Sequence, residues 1–199
     1  MKSEDVKKLR LCVITNSIEI ARHALKGGAG AIQYREEKEK DTIDLVKKGK
    51  EIKELCDEHG ALFIVNDRVD VALAVRADGV HLGKRDMPLD IARELVGGRI
   101  IGASASSVEN ALKVESAADY IGFGSVFPTG SKEGVVVTGI EPLREAKRKI
   151  KIPIIAIGGI TLENIKKVAE MADGVAVISA ISGAEDPEGA AKRLLEMLR

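Results

Sequence analysis

The part of this sequence best suited to chemistry is a short apolar segment that breaks into hydroxyls, glycines and one lysine. It runs Asp119-Tyr-Ile-Gly-Phe-Gly-Ser-Val-Phe-Pro-Thr-Gly-Ser-Lys132-Glu-Gly134. Thr129 and Ser131 carry hydroxyl donors, Gly130 lets the backbone approach a ligand closely, and Lys132 brings a mobile point charge. Together they suit a phosphate group. Solvated loops use the same residue types, so the stretch gains meaning only if other segments end the same way.

They do. Gln33 and Arg35 follow a second apolar run, Asn66-Asp67-Arg68 a third, His81 to Asp86 a fourth and Ser104 a fifth, while Gly158-Gly159-Ile160 and Ile178-Ser179 close the last two. The Gly158-Gly159 and Ile178-Ser179 turns precede helical patterns, where backbone N–H groups can be offered to a phosphate, although tight turns use glycine without any ligand too. Asp67 and Asp86 are hard oxygen donors that can share one Mg²⁺, with water and ligand oxygens completing six-fold coordination. The plainer alternatives are a helix cap for Asp67 and a turn before Pro88 for Asp86. Arg35 can fork onto a phosphate or lie along the surface. His81 reads as a packed strand residue rather than a base. Gln33 is the only glutamine in the chain and stands at a strand end.

What must hold these residues is a repeated strand and helix. Leu11-Cys-Val-Ile-Thr15 ends in Asn16-Ser17, which can cap a helix over 18–26. Apolar runs over 30–34, 61–65, 79–81, 99–103, 118–121, 153–157 and 174–178 alternate with helical patterns, the last two over 161–171 and 187–198. Continuous apolar strands between amphipathic helices indicate a parallel sheet covered by helices, and eight such units close a barrel. We expect a single compact (β/α)8 TIM barrel domain over residues 1–199. An open doubly wound sheet is the alternative, but its G-x-G-x-x-G fingerprint is missing after the first strand. In a barrel the active site lies where strands end and helices begin, so the polar ends converge on one cavity.

With 199 residues, 45% of them hydrophobic, the chain can bury one substantial core. Its 31 basic and 31 acidic residues cancel, which argues against a nucleic-acid partner but leaves small anionic ligands open. No apolar run approaches membrane-spanning length and the first residues lack a signal-peptide core, so we expect a cytoplasmic protein without a membrane partner. Cys12 and Cys56 are expected as free thiols, and with His23, His59 and His81 they form no zinc spacing. The absence of Trp, the 31% charged content and the single Gln fit a heat-adapted organism. A homo-oligomer stays open.

Gln33-Tyr-Arg35-Glu36, Val65-Asn-Asp-Arg68, Asp78-Gly-Val-His-Leu-Gly83 with Asp86-Met-Pro88, Gly102-Ala-Ser104, Gly124-Ser-Val-Phe-Pro-Thr-Gly-Ser-Lys132, Ile157-Gly-Gly-Ile160 and Val177-Ile-Ser179 together resemble the thiamine-phosphate synthase family. The likeness spans nearly the whole chain. It implies a (β/α)8 barrel that, with Mg²⁺, condenses 4-amino-2-methyl-5-hydroxymethylpyrimidine diphosphate with the thiazole phosphate 4-methyl-5-(2-phosphooxyethyl)thiazole, giving thiamine phosphate and diphosphate. Carried onto this chain, it assigns the pyrimidine diphosphate to Gln33, Tyr34, Arg35, Glu36, Glu37, Asn66, Ser104 and Lys132. It assigns Mg²⁺ to Asp67 and Asp86. Thiazole phosphate falls to Thr129, Gly130, Ser131, Gly159, Ile178 and Ser179, and Arg35, Ser104 and Lys132 become the catalytic candidates.

The chain departs from the family pattern at Glu37, where Lys is usual and only Lys38 follows, and at Lys84, where Gln is common after His-x-Gly. A carboxylate aimed at a diphosphate repels it, so Glu37 is expected to turn away while Lys38 or Lys84 supplies positive charge. A related thiazole tautomerase and a non-catalytic barrel that only binds a phosphate ligand are the rival readings. The tautomerase has no need of Asp67, Asp86 and Lys132 together.

Overall fold

The apolar runs are rich in Val and Ile, whose stiff branched side chains suit strands buried on both faces. They pair in sequence order, all parallel, into a closed barrel. The structure is a computed structural model describing residues 3–36, 40–130 and 136–198. Its strands are β1 (Leu11–Thr15), β2 (Ala31–Tyr34), β3 (Leu62–Asn66), β4 (Gly79–Leu82), β5 (Ile100–Ala105), β6 (Tyr120–Gly124), β7 (Ile154–Ile157) and β8 (Gly174–Val177). Its helices are α1 (Ser3–Lys8), α2 (Ile18–Lys26), α3 (Thr42–Glu58), α4 (Val69–Ala74), α5 (Leu89–Val96), α6 (Val108–Val114), α7 (Ile140–Lys149), α8 (Lys166–Ala169), α9 (Ser179–Ser182) and α10 (Pro187–Met197). The TIM barrel read from the sequence is the fold observed. Among the described residues no helix is long and apolar enough to cross a membrane.

Strand alternation divides the core in two. One cluster, including Cys12, Ile14, Leu62, Ile64, Ile100 and Ile155, contains no helical residue and fills the barrel. The larger one places Val13, Ile32, Phe63, Val80 and Ile121 against helical side chains such as Ala21, Leu45 and Leu143. Cys12 and Cys56 are buried and unpaired, as expected, and burial pushes the Cys12 thiol up to about 12.

The amino ends of the even strands from β4 onward carry a repeated latch. Asp78, Asp119 and Asp173 each follow an alanine and stand just before β4, β6 and β8. The backbone N–H of each donates to a carbonyl at the start of the preceding strand, and its carboxylate accepts the N–H of that same residue. The distances are 2.9 and 2.8 Å for Phe63, 2.7 and 2.8 Å for Ile101, and 2.7 and 2.9 Å for Ile154. Arg93 adds a 2.6 Å bond to Asp119 and Lys147 one of 2.6 Å to Asp173. Burial works to raise the Asp119 pKa, but the Ile101 N–H and the Arg93 guanidinium outweigh it and hold the carboxyl below its ordinary range. These latches set strand register from the amino-terminal face and leave the opposite rim for chemistry.

Two details differ from the sequence reading. The helix expected over 161–171 is α-helical only as α8, because the side-chain oxygen of Asn164 accepts the Thr161 N–H at 2.9 Å and its amide donates to the Gly159 carbonyl at 2.8 Å. Those bonds hold the first turn to the strand end. Helix α1 buries none of its residues, so no apolar stripe announced it.

Candidate active site

Inward-facing positions of β2 to β6 meet near the carboxyl rim. Asn66 is level with His81, His81 with Gly102, Gly102 with Tyr120, and Ser104 with Gly122. The two glycines make room for rings. A Cβ on Gly102 would overlap the Tyr120 ring and lie 2.5 Å from His81 Nδ1, and one on Gly122 would lie 2.8 Å from His81 Cε1. His81 Nδ1 sits 3.0 Å from the Tyr120 hydroxyl and Nε2 sits 2.9 Å from Ser104 Oγ. Gln33 is buried and acts to lower the Tyr120 pKa from beside the phenol, against the larger effect of burial. His81 is the buried strand residue expected, yet it also touches a predicted catalytic hydroxyl. The only sequence signal for that was the pair of strand glycines facing it.

Asp67 and Asp86 are both tied to the end of β4. The Asp67 N–H donates to the His81 carbonyl at 2.9 Å, and Asp86 accepts the Gly83 N–H through Oδ2 at 2.6 Å while its own N–H donates to the Gly83 carbonyl at 3.2 Å. Asp86 therefore closes the turn foreseen before Pro88. Helix α4 begins with Arg68 as its cap residue rather than Asp67, which stands exposed with φ 61°. Two carboxylates on one rim, with no third acidic, His or Cys ligand grouped with them among the described residues, form a sparse set of hard oxygen donors. Such a set fits Mg²⁺, which keeps waters and substrate phosphate oxygens in its shell.

The candidate phosphate mouth is assembled by backbone. Val126 N–H donates to the Ile157 carbonyl at 2.9 Å and Phe127 N–H to the Gly158 carbonyl at 3.0 Å, so the segment after β6 zips onto the extension of β7. Thr138 clasps the returning chain, its N–H and hydroxyl bonding the Ser125 carbonyl at 2.7 and 2.9 Å. Phe127 and Pro128 are thereby brought against Gly159, with Thr129 and Gly130 next along the chain. Gly158 and Gly159 both have positive φ, 101° and 61°, and a Cβ on either would overlap residues 125 to 128. Ile178 caps the short α9, and Ser179 is exposed at its first turn.

The β2 end is less uniform. Gln33 faces the barrel interior, whereas Tyr34 points behind the sheet and stacks on Phe63 with ring centroids 6.5 Å apart. Its hydroxyl is the single buried side-chain N or O atom without a partner among the described residues, and burial, then Glu36 and Asp44, push its pKa to about 12. Arg35 is half-buried, its N–H bonded to the Thr15 carbonyl. Glu36 accepts from Asn16 at 2.7 Å and from Lys48 at 3.3 Å, with Lys40 at 3.5 Å. Burial acts to raise its pKa, but Asn16, Lys48 and Lys40 prevail and lower it. Asn16 and Lys48 join Glu36 beyond the residues expected from the sequence. Lys84 is exposed on the β4 to α5 loop. Glu37, Lys38, Ser131 and Lys132 lie outside the described residues.

Comparison with known proteins shows which family the chain resembles. The family model described as thiamine monophosphate synthase matches residues 7–181. A thiamine-phosphate synthase of Pyrococcus horikoshii is 52% identical over 97% of this chain and 94% of its own, and that of Moorella thermoacetica is 50% identical over 92% and 88%. A solved thiamine phosphate pyrophosphorylase from Pyrococcus furiosus superposes with TM-score 0.91 at 47% identity, covering 97% of this chain and 96% of that one.

Proposed function

The chain belongs to the thiamine monophosphate synthase family, and from that premise we propose that it joins 4-amino-2-methyl-5-hydroxymethylpyrimidine diphosphate to 4-methyl-5-(2-phosphooxyethyl)thiazole, forming thiamine phosphate and releasing diphosphate. The observation that carries the reading is the gathering of Asp67, Asp86, Ser104, Thr129, Gly159 and Ser179 at one end of the barrel, in a chain matched nearly end to end by synthases. A tautomerase or a pure binding barrel is not favoured by relatives that carry the synthase name at this identity.

The C–O bond to diphosphate breaks with its electron pair leaving on oxygen, the aminopyrimidine ring stabilises the positive methylene carbon, and the thiazole nitrogen donates its lone pair to form the new C–N bond. No proton abstraction is required, which suits a site without a nucleophile and base pair. The protein holds two reactants in line, a contribution that can reach about 7–11 kcal/mol, and stabilises charge on the leaving group. Arg35, Asn66, Ser104 and Lys132 serve the diphosphate, and Gln33 orients the pyrimidine from the barrel wall. Thr129, Gly130, Ser131, Gly159, Ile178 and Ser179 anchor the thiazole phosphate. A metal requirement is consistent with the family; Mg²⁺ held by Asp67 and Asp86 would supply neutralisation of the diphosphate charge. A cytoplasmic location fits phosphorylated small-molecule substrates.

The test is turnover with both substrates and Mg²⁺, measuring both products. Equimolar thiamine phosphate and diphosphate, and none when either substrate is omitted, support the reading. Isomerisation of a thiazole phosphate without the diphosphate partner, or binding without turnover, overturns it.

A further inference from the structure

Polar groups occupy part of the barrel interior where branched apolar side chains usually pack. Tyr120, His81 and Ser104 form a continuous line of hydrogen bonds from the buried wall to the open rim, with the buried Gln33 beside the Tyr120 phenol. Gln33 is 4% exposed and His81 8%, whereas Ser104 is open to solvent. The His81 and Tyr120 rings also lie against each other, centroids 5.5 Å apart. Buried polarity of this kind is costly unless every member is satisfied, and an apolar filling would serve the fold equally well.

Proton counting sets the direction of the line. Ser104 has one hydroxyl proton. If Ser104 donates it to His81 Nε2, only lone pairs face the mouth and an anionic diphosphate meets no donor. If Nε2–H instead donates to Ser104 Oγ, the hydroxyl proton is available outward. The neutral ring then has an unprotonated Nδ1 that accepts the Tyr120 O–H. Burial pushes the Tyr120 phenol well above its ordinary pKa, so that proton stays in place.

We infer that Tyr120 and His81 form a one-way donor relay that fixes Ser104 as a hydrogen-bond donor to the departing diphosphate, with His81 and Tyr120 as positioning residues. The inference rests on the synthase reading. Each bond in such a chain polarises the next, so the terminal hydroxyl is a stronger donor where negative charge grows.

The test is a double-mutant cycle on the full chain with both substrates. Tyr120→Phe deletes the hydroxyl and keeps the ring beside His81. It should lower kcat about tenfold with the KM for thiazole phosphate unchanged, and should lower kcat no further in a Ser104→Ala background. Equal losses in both backgrounds overturn the relay alone. Nitrogen-15 NMR of His81 without substrate should find Nε2 protonated and Nδ1 bare in the wild type, and a mixture of tautomers in Tyr120→Phe; a wild-type ring protonated on Nδ1 also overturns the relay alone. No turnover by the wild type overturns the synthase reading and the relay with it.

Discussion

Gly159→Ala should damage the barrel mouth far more than one added methyl group usually does. Gly159 has φ 61°, and a left-handed backbone costs a non-glycine residue about 1–2 kcal/mol. The new Cβ would overlap the Pro128 carbonyl oxygen and lie 2.9 Å from Phe127 Cβ. Carbon atoms rest about 3.5–4.0 Å apart, so residues 127 and 128 must retreat by roughly 0.6–1 Å. The Phe127 bond to the Gly158 carbonyl, 3.0 Å long, then stretches past useful length. Overpacking of this kind costs about 1–3 kcal/mol, giving about 2–5 kcal/mol with the backbone cost. Thr129 follows directly, so the proposed thiazole-phosphate anchor shifts as well. Urea denaturation of Gly159→Ala beside Gly130→Ala separates the effects, because a Cβ at Gly130 meets nothing within 4 Å and should change stability by less than about 0.5 kcal/mol. Turnover by Gly159→Ala should show a higher KM for thiazole phosphate than any change for the diphosphate substrate. A Gly159→Ala protein as stable as Gly130→Ala, with both KM values unchanged, would refute the reasoning.

Asp67→Asn and Asp86→Asn should each lower turnover about 100-fold while leaving the unfolding midpoint near that of the wild type; undiminished activity in both, or activity in excess EDTA, counts against the metal assignment. Asp119→Ala should lose about 2–3 kcal/mol by stranding the Ile101 N–H and the Arg93 guanidinium, measured by denaturation. Because the folded pKa of Asp119 is depressed, its contribution is full above the unfolded value of about 3.9 and disappears as pH falls through the folded one. The variant should therefore lose stability less steeply in acid, and parallel pH curves would remove Asp119 from the account. Lys84→Ala should raise the KM for the diphosphate substrate, and Glu37→Lys should leave it equal or lower; unchanged KM in Lys84→Ala would leave Arg35, Lys132 and the metal to balance the charge.

The barrel was legible because each strand is a short apolar run and each polar residue after it is easily seen. Apolar periodicity does not report what side-chain hydrogen bonds or solvent exposure decide, hence the shortened α8 beside Asn164 and the unannounced α1. The candidate site was legible as a set of strand ends but not as an arrangement. Gln33 and Tyr34 are neighbours, and strand geometry sends them to opposite faces, so a contiguous segment cannot aim both at one substrate. His81 looked like packing because its partners, Ser104 and Tyr120, are 23 and 39 residues away in the chain. Gly102 and Gly122, which permit that contact, resemble ordinary strand glycines until their register with His81 is known.

The central claim is that the carboxyl ends of the strands form one metal-diphosphate site. Mn²⁺ accepts the same oxygen donors as Mg²⁺ and broadens NMR signals nearby, so adding it with inorganic diphosphate to labelled protein maps the site directly. Selective loss of signals is expected from Asp67, Gly83, Asp86 and Ser104, with Lys7, Arg10 and Asp173 around the amino-terminal cavity unaffected. Broadening centred on Lys7, Arg10 and Asp173 while Asp67 and Asp86 stay sharp would contradict it.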